Sequence, residues 1–181
     1  MSEDKNKFIN DAGKNGLILA AVAAIYFLVT TLFMGKIEHG GFILTLLSFV
    51  LWAAKFSLCI WLMAGFLRAF AAENEYNRSK TFRYGANIAL CSSLVYSGFY
   101  LLYVTVIDTG FFSGVFDSVA QVYSSFLTSE EMERMMNMES SMPTVSFFVN
   151  FFWCSLLGII ISAIASGKIC GSDDPFANDN R

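Results

Sequence analysis

The sequence predicts an all-α polytopic membrane protein, with four transmembrane helices in a bundle and a short external amphipathic helix. Three observations predict it. Hydrophobic residues make up 55% of the chain and the mean hydropathy is +0.54, above the roughly 45–50% apolar usage of water-soluble domains. The apolar residues come in long runs almost free of charge, each able to cross a hydrocarbon core about 30 Å thick. With only 2 Pro in 181 residues, those runs favour helices over the short strands of a barrel.

The first span covers about residues 16–34, Gly16 to Met34, uncharged and fenced by Lys14 and Lys36. Its length exceeds the apolar core of a secretory signal, and Phe33, Met34, Gly35 and Lys36 give no small-residue cleavage site, so it reads as a retained helix. The second covers about 42–67 and is interrupted only by Lys55; the third covers about 84–107. The fourth, about 144–167, opens after Pro143 and closes at Lys168, a proline and a cation at the helix ends that favour them. In lipid each backbone polar group must be satisfied within its own segment, so each span is expected to be an α-helix. The chain then divides into an N-tail (1–15), a transmembrane domain (16–170) and a C-tail (171–181).

Lys and Arg set the expected orientation. Lys5, Lys7, Lys14, Arg68, Arg78, Lys80, Arg83, Lys168 and Arg181 fall on one side, and only Lys36 and Arg134 on the other. Such asymmetry marks the richer side as cytoplasmic, placing both termini and the Arg68 to Arg83 loop there and Asp108 to Met142 outside. The cytoplasmic loop reads as mainly solvated, with a net positive charge suited to anionic headgroups.

The external segment is acidic, with Asp108, Asp117, Glu130, Glu131, Glu133 and Glu139 against Arg134. Its first part, rich in Phe and Val from Phe111 to Tyr123, suits the membrane surface or a cap on the bundle. Thr128, Ser129, Glu130 and Glu131 read as a capping box. They would open a helix to about Ser141 with Met132, Met135 and Met136 on its apolar side, either packed on the bundle or open to a partner.

Composition excludes several kinds of chemistry. A net charge of −3 leaves no basic field for nucleic acid. Cys59, Cys91, Cys154 and Cys170 form no metal- or redox-type pair, and the first three sit in apolar runs where a thiol behaves as a small hydrophobe. The single histidine, His39, lacks partners for a zinc site or a triad, and no Gly-rich phosphate loop occurs. No catalytic constellation, metal site or cofactor is expected. Asp173 and Asp174 fall in a Gly, Ser, Asp and Asn-rich tail that reads as solvated.

Lys55 is the one ionisable residue deep in a span, 13 residues after Phe42 and 12 before Leu67. Its side chain, about 6 Å long, cannot snorkel across the roughly 15 Å to either interface. An ammonium at that depth costs at least about 2.5 kcal/mol and normally faces protein. Counting along the other spans puts Tyr26, Tyr96, Ser97 and Ser155 at the same level and Asn150 about one turn away. The ammonium must meet hydroxyls, carbonyls or Asn150, water, a partner chain, or lose its charge. In the fourth span Gly158, Ser162 and Ser166 recur every fourth residue, a stripe suited to close helix approach within the chain or between chains; Ala20 and Ala24 allow the same in the first.

Thr81, Phe82, Arg83, Tyr84 and Gly85, followed by Ser93, Tyr96 and Phe99, the acidic exit at Asp108 and an acidic amphipathic helix before the last span, resemble an uncharacterised bacterial membrane family, domain of unknown function four-one-nine-nine. The resemblance covers nearly the whole chain in length and span order. It implies a four-span protein of the bacterial inner membrane and carries over no activity or catalytic residue. Asp173 and Asp174 after Lys168 depart from a basic ending.

The expected function is a non-catalytic membrane accessory or scaffold, acting through a protein partner or as a homo-oligomer, in envelope biogenesis. The alternative is a small transporter or channel subunit that works through Lys55. An intramembrane enzyme has the least support, because paired catalytic groups are absent.

Overall fold

The structure is a computed structural model that describes residues 2–34, 42–123 and 128–171. His39 and the tail carboxylates Asp173 and Asp174 lie outside the described residues. All described elements are helical: α1 (Ser2–Met34), α2 (Phe42–Glu73), α3 (Arg78–Leu102) continued by a π-helical turn (Tyr103–Ile107), α4 (Phe111–Tyr123), α5 (Ser129–Glu139) and α6 (Met142–Ile169). Four stretches are long and apolar enough to cross a membrane, Asn6–Leu32, Leu46–Glu73, Arg78–Ile107 and Met142–Ile169. Much of their apolar surface points outward: Trp61 is 70% exposed and Val149 60%. In water such surface would be unstable; in lipid tails it is at no disadvantage. The chain is a multi-pass membrane protein.

The helices outrun the spans drawn from sequence. Residues 2–15 are already helical, and the Arg68 to Arg83 stretch, expected to be mainly a solvated loop, contains only a turn at residues 74–77. Arg68 ends the apolar run, but with no Pro or Gly between it and Glu73 nothing there ends the helix. Instead, Glu75 and Tyr76 take positive φ of 54° and 53°, and the Tyr76 N–H donates to the Ala71 carbonyl at 2.9 Å, a left-handed C-terminal stop. Asn77 then caps α3 by accepting from the Lys80 N–H at 3.0 Å.

The described chain forms two compact units, Met1–Tyr96 with Trp153–Arg181, and Ser97–Phe152. The first has a core of Ala12, Leu19, Met63, Leu67, Tyr84 and Ile88. Small residues let backbones meet around α3. A Cβ on Gly16 would lie 2.8 Å from Cys91 Cβ and 3.1 Å from the Ile88 carbonyl oxygen, and one on Gly158 only 2.6 Å from Ala89 Cβ. Ser162, fully buried, donates to the Phe82 carbonyl at 3.2 Å, and Ser166 satisfies its hydroxyl on Ala163 at 3.1 Å. The Gly158, Ser162 and Ser166 stripe is thus consumed within the chain, against α3.

In the second unit α3 ends on the π turn, closed by the Asp108 N–H donating to the Tyr103 carbonyl at 2.9 Å. The Phe-rich stretch beyond it forms a full helix, α4, and the Ser113 hydroxyl donates to Glu139 at the end of α5. The capping box of α5 is present: the Glu131 N–H donates to Thr128 Oγ1, while the Thr128 N–H and hydroxyl donate to Glu131 Oε2 at 2.8 and 2.9 Å. Those two donors, the backbone one foremost, hold the Glu131 carboxyl below its ordinary range. Met132, Glu133, Met135 and Met136 have side chains outside the described set; Glu130 and Arg134 are exposed.

Candidate functional site

Three spans of the first unit meet around Lys55. α2 carries the lysine at half-buried depth, α1 supplies Tyr26 and α3 supplies Tyr96. The ammonium lies 4.8 Å from the centroid of the Tyr26 ring and 5.4 Å from that of Tyr96. Both distances fall inside the roughly 6 Å over which a ring's negative face attracts a cation. A desolvated cation–π contact is worth about 2 kcal/mol, and two rings together match the minimum insertion cost of about 2.5 kcal/mol. The charge is therefore tolerable at this depth without a counter-ion. Among the described residues no carboxylate pairs with Lys55.

Two thiols complete the surroundings. Cys59, one helical turn beyond Lys55, and Cys154 on α6 both lie within reach of the lysine's field, and both are free and half-buried. Among the described residues, two rings and two thiols are thus placed near Lys55. Among the described residues no group of three His, Cys, Asp or Glu could hold a metal ion.

The other residues at this level do different things. Ser155 is buried and lies 2.5 Å from Ser93 across α3 and α6; because the Ser93 hydroxyl donates to the Leu90 carbonyl at 3.0 Å, Ser155 is the donor of that pair. Their bond locks two helices. Ser97 is fully buried with no partner for its hydroxyl, and it belongs to the second unit, as does half-buried Asn150. Sequence reasoning missed Ser93 as a partner and Cys59 and Cys154 as neighbours. The first was legible as a hydroxyl one turn before Ser97, the second as the residue four after Lys55.

The face of α6 away from α3 has its own character. Trp153, Leu156, Ile160 and Ile164 are 63%, 54%, 46% and 57% exposed. At 100° per residue this stripe lies about 200° around the helix from Ser155, Gly158, Ser162 and Ser166. One face packs against α3, and among the described residues the opposite face is left exposed. Trp153 is near the middle of its span, where an indole N–H in hydrocarbon has no acceptor; tryptophan in membrane helices normally sits at the interfaces.

No curated protein and no solved structure matches the chain. A family model does match residues 14–167, covering all four spans and the segment between the third and fourth. The chain belongs to the family described as Protein of unknown function (DUF4199).

Proposed function

We propose that this chain is a non-catalytic accessory or scaffold protein of the bacterial inner membrane, acting through a protein partner in envelope biogenesis. Trp153 carries the reading. An exposed indole near mid-span leaves its N–H without an acceptor, which costs about 1–3 kcal/mol. A partner helix offering a hydroxyl or carbonyl removes that cost, and lipid tails do not. The aliphatic stripe below it, Leu156, Ile160 and Ile164, gives the partner a continuous apolar track. A photo-crosslinking residue at position 153 is expected to trap one discrete protein adduct in cells, while the same probe at Gly167 gives none. Adducts with lipid alone at position 153 would sink the reading.

Orientation is part of the proposal, with both termini and the α2–α3 turn cytoplasmic. The support is the distribution of Lys and Arg, nine on that side against two on the other. With the four native thiols removed, a cysteine at Ser79 should resist a membrane-impermeant maleimide in intact cells and one at Ser140 should react. The reverse pattern would invert the topology.

A second reading, a small transporter or channel subunit, has the Lys55 pocket in its favour. It requires flux that depends on the ammonium, and the charge substitution argued in the Discussion separates the two.

A further inference from the structure

At the end of the first unit where α1, α2 and α3 carry their charges, the helices enclose an open cleft of about 620 Å³. Lys7, Lys80 and Arg83 line it together with Asp11 and Glu73, and with the carboxamides of Asn74 and Asn87. Charges of both signs face the same space, yet among the described residues no ion pair joins them. The carboxamides are oriented: Asn74 Nδ2 donates to the Phe70 carbonyl at 3.0 Å and Asn87 Nδ2 to the Arg83 carbonyl at 2.7 Å. Each amide oxygen is left as an acceptor.

An aromatic cluster backs the cleft through the lining residues Phe8 and Phe70. Phe70 stacks on Tyr84 with centroids 4.0 Å apart, and Phe8 meets both edge-on at 5.6 and 5.5 Å. Asn15 fixes the buried Tyr84 hydroxyl at 2.8 Å. Lys7 and Asp11 precede the apolar run of α1, Glu73 follows that of α2, and Lys80 and Arg83 precede that of α3, which is where headgroups meet the edge of a hydrocarbon core.

We propose that this cleft binds the zwitterionic headgroup of a membrane phospholipid that bears a phosphate and a primary ammonium. Lys80, Arg83 and Lys7 take the phosphate, and Glu73, Asp11 and the two carboxamide oxygens accept from the ammonium. A purely anionic headgroup would meet the two carboxylates, and a simple cation would meet the three basic side chains; a zwitterion satisfies both sets. A quaternary ammonium has no N–H to donate to four acceptors. The aromatic cluster receives the glycerol and the first methylenes.

The experiment is native mass spectrometry of the full chain released from nanodiscs of equal phosphatidylethanolamine, phosphatidylcholine and phosphatidylglycerol. Phosphatidylethanolamine is expected to be retained about fivefold over either competitor, the worth of about one ordinary hydrogen bond. K80A/R83A should lower that retention about fivefold. Glu73→Gln should abolish the preference for the ethanolamine lipid while phospholipid is still retained. These three side chains are exposed, so the variants should fold, which size exclusion and thermal unfolding check. Equal retention of the three lipids, or a preference for phosphatidylglycerol, would overturn the proposal. Stabilisation by glycerophosphoethanolamine in lipid-free detergent, with no retention of phosphatidylethanolamine from the nanodiscs, would overturn the membrane as the source of the headgroup.

Discussion

Gly158→Leu is expected to destabilise the protein by about 3 kcal/mol, the upper end of overpacking costs, because α6 packs directly on α3 at this residue. A Cβ at 158 would already sit 2.6 Å from Ala89 Cβ and 3.4 Å from its Cα. The rest of the leucine would have to go through the α3 backbone. Gly158→Ala should lose less, since alanine regains about 1 kcal/mol of helix propensity. Ala89→Gly should rescue it, because the single severe contact is with the methyl that this change deletes. The leucine variant should not be rescued. Reversible unfolding in mixed micelles of denaturing and mild detergent reads each of these chains, and the coupling between 158 and 89 follows from the double-mutant cycle. Additive effects at the two positions would mean that the helices do not meet there. Gly16 is the contrasting case: two of its close neighbours, the Ile88 carbonyl and the Ser92 N–H, are backbone, so no side-chain deletion on α3 should rescue Gly16→Leu.

Some of this was legible in the sequence. The spans were, because long charge-free runs have no other stable home. So was the α5 start, because Thr128 and Glu131 supply both halves of a reciprocal cap. The Gly158, Ser162 and Ser166 stripe announced a close approach but not its partner. Gly85 and Ala89 complete it from α3, and a lone glycine among larger residues does not declare which helix it faces. Helix ends were misread wherever charge was taken for loop. A bilayer boundary and a helix boundary are set by different physics, hydration in one case and capping in the other, and the stop at Glu75 and Tyr76 uses residues with no glycine signature. For the α4 segment the apolar composition indicated only a place, the membrane surface or a cap on the bundle, although Phe111, Phe112, Val115, Phe116 and Val119 already follow helical spacing.

The lysine pocket shows the same division. Depth counting put Tyr26, Tyr96 and Ser155 at the level of Lys55, because rise per residue is fixed. Which groups meet the ammonium depends on how the helices are rotated, and the period of a helix apolar all round does not give that. Hydroxyls, carbonyls, Asn150 and water were all open at that point. The structure has the two rings over the ammonium, with Ser155 engaged by Ser93 instead.

The ring pocket leads to the second large effect. Replacing both tyrosines by leucine, Tyr26→Leu with Tyr96→Leu, should destabilise the wild-type chain by at least about 2 kcal/mol through lost cation–π attraction, beyond any packing loss. In a Lys55→Met background the same pair of changes should cost only the packing term. Tyr26→Phe keeps its ring and should be nearly silent in either background, which separates ring from hydroxyl at that position. Lys55→Met alone should leave the protein folded and as stable or more so, because an apolar side chain of similar length replaces a charge that was at best offset. Equal costs of the double leucine change with and without the lysine would end the cation–π account. The same variant discriminates function. If the chain is a scaffold, wild-type and Lys55→Met proteoliposomes should be alike and silent to imposed proton, sodium, potassium and chloride gradients. Flux in the wild type that disappears in a folded Lys55→Met protein would replace the scaffold by the transporter, since the ammonium would then be the group that the moving ion displaces or discharges.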